Sequence, residues 1–186
     1  MKIEIISGSS RTESKSHRLA LFLKNTFESR TDHDIGLINL KDWAFPHFEE
    51  VFSSLETTPQ PFKEIASRVF DADAFVIVSP EYNGSYPPSL KNFLDHFPKQ
   101  KHKVFGIVTA STGALGGMRA SQQLLLLIPA LFGLASPFLL ITPTVDTKFD
   151  EAGNLLDSAF QKPVDIFVNE FLWLAEKIHP HFVHLN

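Results

Sequence analysis

The segment Gly8-Ser9-Ser10-Arg11-Thr12-Glu13-Ser14-Lys15-Ser16-His17 gathers hydroxyls, a guanidinium and an imidazole directly behind the short apolar run Ile3 to Ser7. Gly8 permits an unusual backbone angle as the chain leaves that run. Ser9, Ser14 and Ser16 can donate hydroxyl hydrogen bonds, and Arg11 adds a charge-assisted contact. Leu19, Ala20, Leu23 and Phe27 then recur at helical spacing, so a helix starts near Ser14 or Ser16 and turns its free N–H groups toward the same place. Its dipole contributes about 0.3–1 kcal/mol to holding an anion at an exposed site. A phosphate monoester, with a charge of about −1.5 to −2 by analogy with phosphorylated side chains, matches this donor set. A Ser-rich helix N-cap without a ligand is the other reading of the same residues. Neither the Gly-Lys-Ser/Thr of a triphosphate loop nor the dinucleotide pattern G-x-G-x-x-G occurs.

Two further polar segments follow apolar runs. Ala74-Phe75-Val76-Ile77-Val78 reads as a buried strand and leads into Ser79-Pro80-Glu81-Tyr82-Asn83-Gly84-Ser85-Tyr86-Pro87. Pro88 then opens a helix with Leu90, Phe93 and Leu94 on its apolar face. Lys103 to Thr109 is a strand that leads into Ser111-Thr112-Gly113-Ala114-Leu115-Gly116-Gly117-Met118-Arg119, where glycines let the backbone approach a ligand closely.

The remaining elements complete an alternating order. Ile35 to Leu40 predicts a strand, Phe62 to Phe70 a helix, Gly117 to about Phe132 a helix, Phe138 to Ile141 a fifth strand, and Pro163 to Ile178 a closing helix ahead of Pro180. Asp146 to Asp157 reads as loop, and the first helix runs to about Glu28. Strands alternating with helices imply a parallel sheet covered on both faces. The expected fold is a flavodoxin-like three-layer α/β sandwich on a five-stranded parallel sheet of order 2-1-3-4-5, formed by residues 1–186 as one domain. The three polar segments would then emerge on one edge of the sheet.

Composition sets the outer limits. A chain of 186 residues, 44% hydrophobic and 20% charged, fits one globular domain. The formal net charge of −4 and the lack of a long basic run disfavour nucleic-acid binding. Without cysteine, thiol nucleophiles and thiolate metal sites are excluded, and a reducing, cytoplasmic setting is expected. The apolar stretch Leu124 to Ile141 is broken by Pro129, Gly133, Ser136 and Pro137, so it reads as core, not as a membrane span. The N-terminus is too soon interrupted for a signal peptide. No G-x-S-x-G nucleophile turn is present. His179, His181 and His184 lack a carboxylate cluster, which argues against a metal site. The aromatic connection Trp43 to Phe48 reads as core or interface packing.

The segment from Pro80 to Asp95 resembles the hallmark P-E-Y-N-x-S-x-P-x-x-L-K-N-x-x-D of the NADPH-dependent FMN reductase family, with every specified letter present. Gly8, Ser9, Arg11 and Ser14 are similar to the family's G-S-x-R-x-x-S-x-N, with Ser16 in place of Asn. Ser111 to Arg119 is similar to its S-x-G-x-x-G-G-x-R. The resemblance implies a flavodoxin-like homodimer or homotetramer. It implies that FMN is bound by Ser9, Arg11, Ser14, Ser16 and His17 at the phosphate, and by Pro80, Glu81, Tyr82, Asn83, Gly84, Ser111, Thr112, Gly113 and Gly116 at the ring. Electrons would come from NADPH or NADH and pass to a quinone, azo compound, metal oxyanion or free flavin. No side-chain acid or base is required, because the flavin carries the chemistry. An FMN-binding electron carrier that does not oxidise nicotinamide is the alternative. Family members commonly have Pro-Gly at Pro87-Pro88 and Ile-Asp-Trp at Leu94-Asp95-His96, departures expected beside the open face of the ring.

Overall fold

A computed structural model describes residues 1–182. Its strands are β1 (Lys2–Ser7), β2 (Asp34–Asn39), β3 (Ala74–Pro80), β4 (Val104–Ala110), β5 (Leu134–Ala135) and β6 (Leu140–Thr142). Its helices are α1 (Lys15–Arg30), α2 (Lys63–Asp71), α3 (Pro88–Asp95), α4 (Met118–Ala130), α5 (Val145–Lys148) and α6 (Gln161–Phe182). All pairings between these strands are parallel, in the order β2-β1-β3-β4-β5, with β6 also on β4. This is the flavodoxin-like α/β arrangement the sequence implied.

Both faces of the sheet are covered, which is why the central strands are apolar almost throughout. On one face Leu19, Leu23 and Phe27 of α1 meet Val164, Phe167 and Phe171 of α6 over Ile3, Ile5 and Val76. On the other, Ile65 and Val69 of α2, Leu90 and Phe93 of α3, and Leu124 and Ile128 of α4 cover Ile6, Phe75 and Ile107. Gly106 is required by this packing: a Cβ there would come within 2.8 Å of Phe167 Cζ.

Several expected boundaries move, each for a local reason. The fifth position of the sheet is filled by two segments, β5 beside Val104–Phe105 and β6 beside Val108–Ala110, because Ser136-Pro137 interrupts the ladder. Helix α4 ends at Ala130, not Phe132, since Phe132 turns left-handed at φ 62° and Gly133 N–H reaches back to Ile128 O. The stretch expected as loop after Asp146 contains most of α5 and an antiparallel bridge between Phe149 and Leu155. Helix α6 begins at Gln161 and continues through Pro180. His179 lies 3.5 Å from Asp73, and His184 falls outside the described residues.

Glu4 interrupts the apolar run of β1 and is nonetheless buried. Arg68 Nε and Nη2 of α2 donate to its two carboxylate oxygens at 2.9 and 2.6 Å. Gly36, its partner across the β1–β2 pair, leaves the room: a Cβ there would lie 2.2 Å from Glu4 Oε2.

Lys103 is held comparably at the start of β4. Its Nζ donates to Val69 O at 3.1 Å and Phe70 O at 3.3 Å, closing the carboxyl end of α2, and lies 5.4 Å from the Phe75 ring centroid. Burial pushes its pKa from 10.5 down to about 8, against the opposing pull of Asp73 and Asp71. Between those values the unfolded chain binds more protons than the folded one, so stability rises as pH climbs from about 8 toward 10.5. Denaturant melts at about pH 7.5 and about pH 9.5 should show a gain at the higher pH that Lys103→Met loses; the same slope in both proteins would contradict the assignment.

Candidate functional site

Parallel pairing brings β1, β3 and β4 to a common carboxyl edge, where Ser7 lies beside Val78 and Pro80 beside Ala110. The three polar segments therefore leave the sheet side by side. Gly8 N–H donates to Val78 O at 2.9 Å, which carries the ladder one residue past β1, and Ser89 Oγ of α3 donates to Gly8 O at 2.8 Å. Ser9 Oγ accepts from Arg11 N–H at 3.3 Å and lies 3.4 Å from Tyr82 Oη, joining the first loop to the second.

The first loop fits a phosphate. Ser14 is the N-cap of α1 but makes no capping bond; its hydroxyl instead meets Ser16 Oγ at 2.9 Å, and the first turn holds no acidic residue. The helix thus presents uncapped N–H groups and an uncompensated positive end. A cavity of about 370 Å³ opens there, lined by Arg11, Ser14, Lys15, His17, Arg18 and Lys41 among others. Arg11 has no ion-pair partner among the described residues, whereas Arg18 reaches Glu151 at 3.3 Å. His17 Nδ1 is 3.0 Å from Ser7 Oγ. Burial pushes its pKa down, with Asp42 raising it and Lys41 lowering it further. Arg11 is therefore the stronger cation of the pair.

The second loop is a tight turn. Tyr82 and Ser85 exchange backbone hydrogen bonds at 2.8 and 3.1 Å, while Asn83 and Gly84 both have positive φ, 51° and 82°. This is the two-residue Asn-Gly turn of a hairpin. It leaves the N–H groups of Asn83 and Gly84 without a protein acceptor among the described residues. The Glu81 carboxylate reaches α4, where Oε2 accepts from Arg119 N–H at 3.1 Å and Ala120 N–H at 3.3 Å in the first turn.

The third loop is shaped from below. Ser111 N–H donates to Thr142 O, Ser111 Oγ accepts from Gly113 N–H at 2.9 Å, and Thr109 Oγ1 donates to Gly116 O at 3.0 Å. Gly116 has φ 61°, and a Cβ on it would strike Pro143 N at 2.6 Å, so its glycine is structural. Thr112 and Gly113 are exposed at the tip.

Ser7, Ser89 and Thr109 support these loops and were not among the sequence candidates; each lies at a strand or helix end, where a hydroxyl gives no pattern to read. Lys15, Arg18 and Lys41 were equally invisible, because long basic side chains are ordinary on surfaces. Lys91 pairs with Asp95 at 2.5 Å, and Asn92 Nδ2 donates to Pro46 O at 2.7 Å, so both are structural. His96 is 2% exposed and sits among Phe45, Phe48 and Phe52 with ring centroids 5.0–5.6 Å away.

This sheet order, with three polar loops side by side on the carboxyl edge, defines a protein of the flavodoxin-like α/β class. Comparison with known proteins narrows the class. The sequence profile of the NADPH-dependent FMN reductase family matches residues 1–137. An FMN-dependent NADPH-azoreductase from Staphylococcus saprophyticus is 30% identical over 178 residues, covering 92% of this chain and 94% of that protein. The corresponding Staphylococcus aureus protein is 29% identical over the same length. The flavoenzyme NAD(P)H:(acceptor) oxidoreductase FerB from Paracoccus denitrificans superposes with a TM-score of 0.77 at 23% identity, covering 95% of this chain and 98% of that one. A flavodoxin from the domain Archaea superposes at 0.60 with 15% identity, over 96% and 99% of the chains. The chain belongs to the NADPH-dependent FMN reductase family. It is by that membership an oxidoreductase with FMN as cofactor and NADPH as electron donor.

Proposed function

We propose that the three loops hold FMN between them and that the chain, acting as one FMN-binding domain, passes electrons from NADPH to a small organic or inorganic acceptor. The observation that carries this reading is the convergence of three loops tied to one another by Ser9–Tyr82 and by Glu81 to the start of α4. Arg11 and the uncapped N–H groups at the start of α1 bind the phosphate, while Ser9, Ser14 and Ser16 complete its shell of donors. His17, braced by Ser7, closes the loop from below. The free N–H groups of Asn83 and Gly84, with Tyr82 and Pro80, serve the ring from one side. Ser111, Thr112, Gly113 and Gly116 serve it from the other. FMN bound there supplies the redox chemistry, and the chain's part is to bind, orient and shield.

The acceptor has a candidate place. A cavity of about 360 Å³ opens between the first loop and α3, walled by Trp43, Phe45 and His47 on one side and Ser10, Ser89 and Asn92 on the other. Such a slot suits a flat aromatic acceptor, a quinone or azo compound, better than a metal oxyanion. We also infer a homodimer or homotetramer, supported by the exposed Leu115, Met118 and Leu126, which run from the third loop along α4. A cytoplasmic location goes with this reading.

Purified protein should be yellow or become so with FMN, and NADPH should bleach it without oxygen. A colourless protein that leaves NADPH unoxidised with every acceptor would sink the proposal, and FMN binding without nicotinamide oxidation would favour the electron carrier. Arg11→Ala should weaken FMN roughly tenfold while changing riboflavin, which has no phosphate, by less than about twofold; equal losses would contradict the role given to Arg11. Trp43→Ala should raise KM for a naphthoquinone roughly fivefold and leave ferricyanide reduction unchanged, as measured by steady-state NADPH oxidation.

A further inference from the structure

Helix α4 lacks the means to finish its own amino end. Its N-cap is Gly117, at φ 87°, which brings no side chain, and no acidic residue lies in its first turn. Glu81 supplies what is missing from a different loop. Its carboxylate, 16% exposed, accepts the N–H groups of both Arg119 and Ala120 through Oε2. The Arg119 guanidinium stands farther off, with Nη1 4.0 Å from Oε1, and is 70% exposed. The bond that matters is therefore to the helix backbone, not to the arginine.

We propose that Glu81 is a positioning residue, a helix cap supplied from the neighbouring loop that fixes the 80–84 turn against the 111–117 loop before the cofactor arrives. This rests on reading those two loops as the ring site. Each loop is already rigid on its own side. The turn is locked by the reciprocal Tyr82–Ser85 bonds, and the third loop by Thr109 Oγ1 on Gly116 O. Two rigid pieces still need a fixed separation, and the Glu81 carboxylate spans it. A negative group at a helix amino end is favoured by the dipole as well as by the hydrogen bonds. Without that cap, ordering the two loops would be charged to the binding step, and affinity would fall.

The identity of the residue on each side of the bridge leads to distinct outcomes. Glu81→Ala should weaken FMN and riboflavin alike, by roughly fivefold to tenfold, since the loss falls on the ring loops and not on the phosphate. Glu81→Gln keeps a carbonyl acceptor for both N–H groups and should restore binding of both ligands to within about threefold of the parent. Arg119→Ala should leave both affinities within about twofold, because only the Arg119 side chain is removed. In the apoprotein, amide hydrogen exchange at Arg119 and Ala120 should speed up at least roughly fivefold in Glu81→Ala and much less in Glu81→Gln. Unchanged exchange at those amides would overturn the proposal whatever the ligands do. So would a loss confined to FMN, or a Glu81→Gln variant as weak as Glu81→Ala. If the parent protein binds no flavin, the function proposed above fails, yet the exchange experiment still decides whether the cap exists.

Discussion

The site depends on the parallel ladder that locks β1, β3 and β4 in register. Ile3 to Ser7 pair with Ala74 to Val78, and Ala74 to Pro80 with Val104 to Ala110, so three strands stop within a residue or two of one another at one edge. Parallel strands require crossovers, and crossovers put every strand-to-helix loop on the same side. A slip of one residue in any of these strands would swap its two buried faces and carry its loop away from the others. The cores on both faces forbid that slip, with Leu19 and Phe27 on one side and Leu90 and Phe93 on the other. Gly8 N–H on Val78 O then extends the same ladder into the phosphate loop, which makes the loop a continuation of the sheet.

How much could be read beforehand follows from what each feature leaves in the sequence. Buried parallel strands leave runs such as Ala74-Phe75-Val76-Ile77-Val78, and the loops after them leave glycine, proline and serine, so the sheet order and the three site segments were legible. Side-chain direction was not. Glu81 sits in the middle of the ring motif, and nothing local shows that its carboxylate crosses to α4; that follows from Gly117 being unable to cap, a fact about a residue far along the chain. Asn83-Gly84 lies in a stretch legible as loop, and its positive φ angles are those this dipeptide favours in a two-residue turn. Nothing local marks Glu4 as buried, because its partner Arg68 and the space at Gly36 are set by tertiary packing. Pro180 predicts a stop for α6, yet the helix runs through it.

The connection from Trp43 to Phe62 shows a second kind of limit. Its first part, Trp43 to Phe48, reads from the sequence as core or interface packing, with no partner specified. In the fold, Phe45 stacks on Phe62 at 4.7 Å and meets Phe93 edge-on at 5.5 Å, while His96 Nδ1 lies 2.7 Å from Asn92 O beneath it. Those contacts draw the connection down onto α3 and leave Trp43 and His47 along its upper rim, beside Ser10. The His at position 96 thus belongs to the packing that supports the rim. Any effect it has on acceptor choice would pass through the placement of Phe45 and Trp43.

The two edges of the sheet differ in a way that bears on function more than the fold itself does. At the amino edge there is also a concavity, of about 270 Å³, where most charges meet one another: Glu4 with Arg68, Asp71 with Lys2 Nζ, and nearby Asp73 with the Lys2 N–H, while Asp34 lines the same wall. At the carboxyl edge the reverse holds. Arg11 stands without an acidic partner among the described residues, α1 begins without a capping side chain, and the turn at Asn83-Gly84 offers N–H groups to the outside. A folded chain ordinarily satisfies its polar groups wherever it can. Donors left over at one edge, on loops joined by Ser9–Tyr82 and by Glu81 to α4, are what the FMN site proposed above would use: phosphate on the first loop, and carbonyl and imine edges on the other two. The flavodoxin scaffold accounts for where these loops lie.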